Sequence, residues 1–150
     1  MSVDSIDTTV HIQRIVPGLT RQYLFGKKIV TYSFSQITHY TIDQWFAALF
    51  KELDNWKPDS PFLVVIDFKA LDDLPLAHSL MDKCTEVAVR RPELPGRTAI
   101  LLPNEDMTGE LVANLLTGTP KTGRVCRIFY HYADSLVWLN ELLNLDEVEV

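Results

Sequence analysis

Residues 124–143, RVCRIFYHYADSLVWLNELL, carry an apolar strand that ends in Phe129 and, a few residues on, a helix with Ala133, Leu136, Trp138 and Leu139 among its first apolar positions. A strand feeding directly into a helix is half of a crossover unit. Working back along the chain, the same alternation repeats. Phe62–Phe68 (FLVVIDF) is a near-continuous apolar run, the pattern of a central strand covered on both faces. Thr98–Leu102 is a second such run, stopped by Pro103.

Helical stretches separate these strands. Ile42, Trp45, Phe46, Leu49, Leu53 and Trp56 recur at helical spacing, and Thr41-Ile42-Asp43-Gln44 has the form of a capping box opening that helix. Leu76, Leu80, Met81, Cys84, Val87 and Ala88 give the next helix its stripe, with Pro75 suited to its first turn. Glu105–Leu116 reads as a further helix. Before the first helix, Val10–Val16 reads as a strand, and Tyr23–Phe25 and Ile29–Phe34 flank a Gly26-Lys27-Lys28 turn as a hairpin. Alternating strands and helices make parallel strands with helical crossovers. The expected fold is therefore a single α/β domain, a mixed, mostly parallel sheet with helices packed against it. Its core spans about residues 10–143, with tails at 1–8 and 144–150.

Bulk composition narrows the function classes. A chain of 150 residues buries about 70% of its unfolded surface, enough to fold without a metal or disulfide. The net charge of −6 argues against a phosphate-binding nucleic-acid surface. The longest apolar run is too short to span a bilayer, and MSVDSIDTTV lacks the features of a signal peptide. Cys84 and Cys126 lie among apolar neighbours with no CxxC pair, which fits buried thiols in a reducing cytoplasm.

The element order, the Asp67 near a strand end and the closing Phe129…Ala133…Trp138-Leu139 resemble the SpoIIAA-like branch of the STAS domains over roughly Ile12–Leu143. The resemblance implies a bacterial, cytoplasmic, non-enzymatic module without a cofactor, acting by docking a protein partner through the loop and helix of residues 71–90. Asp72, Asp73, Asp82, Lys83 and Glu86 are the expected partner-binding residues. The family's phosphorylated Ser at that helix start has no counterpart, because residues 67–76 contain no Ser or Thr; the nearest hydroxyl is Ser79. Asp72-Asp73 would either imitate a phosphorylated state or cap the helix.

Two further readings stand beside this one. Relatives in the wider fold group suggest a lipophilic ligand carried between sheet and helices, with Trp45, Phe46, Phe68 and Met81 lining the pocket. A spread of aromatics on the first helix would also let an exposed Phe50 or Trp56 pack on a second subunit as a homodimer. The other is an enzyme using Asp67 and His78, with Asp72 and Asp73 nearby, at the carboxyl end of a central strand. The local patterns favour turn and cap roles for these residues over a metal or catalytic site. The glycine-bounded Gly118–Gly123 is a connector, since it leads into a strand where a phosphate loop leads into a helix.

Overall fold

The computed structural model describes residues 12–73, 76–105 and 124–148, and for residues 77, 81 and 144–148 it describes the backbone alone. Strands β1 (Ile12–Val16), β2 (Leu19–Leu24) and β3 (Ile29–Phe34) form an antiparallel meander. β4 (Phe62–Asp67), β5 (Gly96–Leu101) and β6 (Arg124–Phe129) follow in parallel with β3, and the sheet order is the chain order, β1 to β6. Helix α1 (His39–Asp54) links β3 to β4, α2 (Ala77–Val89) links β4 to β5, and α3 (Tyr132–Val148) closes the chain after β6. The sheet is mixed and half of its strands join through antiparallel pairs. The helix expected at 105–116 falls almost wholly outside the described residues.

Alternation along β4 assigns the two faces. Phe62, Val64 and Ile66 join Val30, Tyr32, Phe34 and Ile100 under α1 and α2, where Ile42, Trp45, Leu49, Leu53, Leu80 and Val87 are buried. Leu63 and Val65 join Ile29, Ala99 and Leu101 on the opposite face, under Trp138 and Leu139 of α3. Both faces of the central strand are thus sealed, which is why it reads as unbroken hydrophobicity.

Four local expectations are corrected. The α1 N-cap is Thr38: its hydroxyl accepts from the Thr41 amide at 3.1 Å, and the Thr41 hydroxyl accepts from the Thr38 amide at 2.8 Å. Thr41 is the third helical residue and is buried. Ile37 before the cap and Ile42 after it enter the same core, which fixes the entry of the chain. In α3 the buried small residue is Ser135, whose hydroxyl donates to the Tyr132 carbonyl at 2.6 Å, while Ala133 is exposed. Residues 144–148 continue α3 where a tail was expected. Finally, Asp72 and Asp73 do not cap α2. Its N-cap is Leu76, with φ +61° and no side-chain cap bond, and its first turn carries no acid.

Arginine side chains close helix ends from a distance. Arg91 Nη1 donates to the Leu53 and Trp56 carbonyls at 2.8 and 2.9 Å, at the end of α1. Arg124, 7% exposed, spans five carbonyls at the end of α2. Helix ends leave carbonyls unpaired and partly negative, so a cation with several donors suits them.

Cys84 and Cys126 are free and, partly buried, pack against the α1/α2 face of the core. Burial pushes the Cys126 thiol from its ordinary 9.0 up to about 12, and burial, then the neighbouring Cys126, pushes Cys84 up as well. Tyr23 rises to about 12 through burial and then its bond to Glu52, and burial raises Tyr32. All four groups hold their protons more tightly folded than unfolded. Their contribution is complete below the unfolded values and lost as pH rises through the folded ones. Urea midpoints should therefore hold level to about pH 8.5 and fall steadily from about pH 9 to 12. Midpoints unchanged across that alkaline range would show that these groups are not buried as described.

Candidate functional site

The segment from Leu71 to Arg90 leads from β4 into α2 and presents charge outward. Asp72 and Asp73 are exposed in the loop. On α2, His78, Asp82 and Glu86 are exposed at intervals of four residues, one stripe of the helix surface. His78 and Asp82 approach to 3.7 Å with both side chains largely in solvent. The opposite stripe, Leu80 and Val87, is buried. His78, Asp82 and Glu86 are thus displayed together on the outer side of α2.

Lys83 differs from its neighbours. Its ammonium sits 4.5 Å from the centre of the Phe46 ring and 4.0 Å from Glu86. Phe46 stacks on Phe50 at 4.5 Å, and Arg90 lies 4.8 Å over Phe50. The Arg90 guanidinium also forms a fork with Asp54, at 2.8 Å on both oxygens. The outer aromatics of α1 are therefore roofed by cations of α2, an arrangement in which each ring face attracts the charge above it. Lys83 serves mainly to join the two helices, which leaves carboxylates as the dominant charge of the outer stripe.

The expected ligand-lining residues part company. Trp45 and Phe68 are fully buried and meet around Phe34, with ring centroids at 5.9 Å and 5.3 Å. These rings fill the space between sheet and helices themselves. Phe46 lies outside that cluster of rings, and the Met81 side chain lies outside the described residues. Among the described residues, the indole N–H of Trp45 and the hydroxyl of Tyr32, in the same layer, are buried without a hydrogen-bond partner. Trp56 is buried and donates to the Pro61 carbonyl at 3.0 Å, so it offers no face to a second subunit; Phe50 is half-covered by Phe46 and Arg90.

Asp67 and His78 do not converge. Asp67 accepts from the Lys69 amide at 2.8 Å, closing the turn that follows β4, and from the Ser33 hydroxyl of β3 at 3.4 Å. Lys69 then reaches the Tyr130 carbonyl at 2.7 Å, and Tyr132 meets the Thr31 hydroxyl at 3.2 Å. The cluster binds β3, β4 and the β6–α3 junction to one another. His78 is engaged elsewhere, along α2. Among the described residues no three His, Cys, Asp or Glu side chains gather as a metal site. No helix among them is long and apolar enough to cross a membrane.

The polar cluster at Asp67 was missed because its partners lie far off in the chain, at Ser33 and Tyr130. The only signal was the hydroxyl alternation Thr31-Ser33 on an otherwise apolar strand. In comparisons with known proteins, the chain matches no family model, no curated protein and no solved structure.

Proposed function

We propose that this chain is a non-enzymatic regulatory binding module of the SpoIIAA-like STAS kind, working in a bacterial cytoplasm. It docks a protein partner through the loop and helix of residues 71–90. The observation that carries the reading is the outward stripe of α2: Asp82 and Glu86 exposed on the helix and Asp72 and Asp73 exposed in the loop before it, with Lys83 drawn onto Phe46. Four exposed carboxylates in one loop and helix fit a basic segment of a partner, and complementary charge of that kind mainly speeds and selects the encounter. The order of elements supports the family reading, since each parallel strand lies beside its predecessor in the chain.

The family's switch is replaced here by permanent charge. Ser79 is half-buried a turn inside α2, and Asp72 and Asp73 stand before its cap in solvent. Partner binding is expected to be constitutive and to weaken with salt.

Affinity capture from cells, with the wild type beside D73K/D82K, tests this. One protein should be captured by the wild type and reduced roughly tenfold or more by the reversal. A K57E variant, changed at the opposite end of the sheet, should capture it normally. A partner that binds the double variant equally well would sink the docking surface.

A further inference from the structure

The end of the sheet where the parallel strands begin holds an open groove of about 520 Å³. That is within the range of small-molecule sites. It lies between the β2–β3 turn, the loop from α1 into β4 and Leu143 of α3. None of its lining residues belongs to α2 or to the loop before it.

Its charge runs against that of the whole chain. Lys27, Lys28 and Lys57 line it together with Glu52 and Asp59. Glu52 is already committed, accepting from the Tyr23 hydroxyl at 2.5 Å and pairing with Arg21 at 3.5 Å. Three lysines then line the groove with Asp59, which has no ion pair among the described residues, on a protein of net charge −6. The carbonyls ending α1 would ordinarily repel an anion here. Arg91 occupies those of Leu53 and Trp56, which removes the opposition.

The turn bearing two of the lysines is held in an uncommon form. Phe25, Gly26 and Lys27 have φ of 53°, 64° and 67°, and only one of them is glycine. L side chains resist this region, and such outliers concentrate where a fixed geometry is used. The Lys27 ammonium is further held 5.4 Å over the Tyr23 ring. Pro61, Leu143 and the buried Trp56, whose N–H is taken by the Pro61 carbonyl, supply the apolar part of the wall, beside Asn55 and Ser60.

We propose that this groove binds a small phosphomonoester with an apolar body, its phosphate among Lys27, Lys28 and Lys57 and its body against Pro61 and Leu143. A dianion satisfies several ammonium groups at once, and charge-assisted bonds to phosphate are the strong kind. The apolar wall gives the body a reason to stay.

Titration of the ¹⁵N-labelled full chain with phenyl phosphate tests it, with phenol as the uncharged comparison. Saturable amide shifts should appear at Gly26, Lys28, Asn55 and Ser60 with phenyl phosphate. Phenol should bind at least tenfold more weakly, and K28E/K57E should weaken phenyl phosphate binding at least tenfold while thermal unfolding stays near that of the wild type. No saturable shift up to about 10 mM, beyond the millimolar affinity of a weak fragment, would overturn the proposal. So would equal binding of phenol, or unchanged affinity in the double variant.

Discussion

Arg124→Met is expected to lower the unfolding free energy by about 3 kcal/mol and the melting temperature by roughly 10 °C. Arg124 opens β6, yet its guanidinium works on α2. Nη2 donates to the carbonyls of Val87, Ala88 and Arg90 at 2.7, 3.2 and 2.5 Å. Nη1 donates to those of Arg91 and Leu94 at 2.8 and 3.2 Å. These are the carbonyls that a helix end and its following turn leave without partners. Methionine keeps the aliphatic stem and removes every donor, so the loss isolates the guanidinium. Each buried carbonyl left bare costs about 1–3 kcal/mol, less where water can enter, as it can beside the exposed Arg90. Burial lowers the pKa of Arg124, but a guanidinium starts so high that it stays charged. Arg124→Lys keeps the charge and loses the planar fork, so it should recover about half of the deficit at most. Urea unfolding followed by circular dichroism reads all three proteins. A loss under about 1 kcal/mol for Arg124→Met would mean that water replaces the guanidinium at no cost.

Local pattern made the architecture legible. Phe62–Phe68 reads as a two-faced strand because every position of β4 up to Ile66 is buried, and the α1 stripe reads as a helix because its spacing alone puts Trp45, Leu49 and Leu53 on one side. Where two frames satisfied the same local rule, tertiary contacts decided. Thr38 and Thr41 can each begin a capping box, and the burial of Ile37 beside Ile42 selects Thr38. The phase of α3 was set likewise: Ser135 lies three and four residues before Trp138 and Leu139, so it shares their face, and Ala133 does not. The outer charges of α2 were legible as residues off the stripe. What they left hidden was the use of Lys83 as a cover for Phe46, since that needs the packing of α1 on α2. The same limit applies to Arg91 and Arg124. A cation's sequence neighbours say nothing about carbonyls thirty or more residues away.

Gly96→Ala is the second large effect, with an expected loss of about 3 kcal/mol or more. Gly96 begins β5, paired with Phe62 on β4 and with Arg124 on β6. A Cβ placed there would stand 2.1 Å from the Phe62 carbonyl oxygen and 3.0 Å from its carbon. The obstacle is backbone, so no side-chain rotation relieves it. The strands must move apart, which strains the Phe62 amide bond to the Pro95 carbonyl, 2.8 Å long in the native sheet. The conformational freedom of glycine is not the reason; the missing atom is. The same Cβ would come within 3.1 Å of Arg124 Cδ, pressing on the side chain that closes α2. The two substitutions therefore act on one corner, and a double-mutant cycle should show it. With Arg124→Met in place, the flexible methionine can shift, and Gly96→Ala should cost about 0.5 kcal/mol less than it does alone. Additivity within experimental error would mean that the Phe62 carbonyl alone sets the penalty. Native stability for Gly96→Ala itself would contradict the close approach of β4 and β5 at this pair.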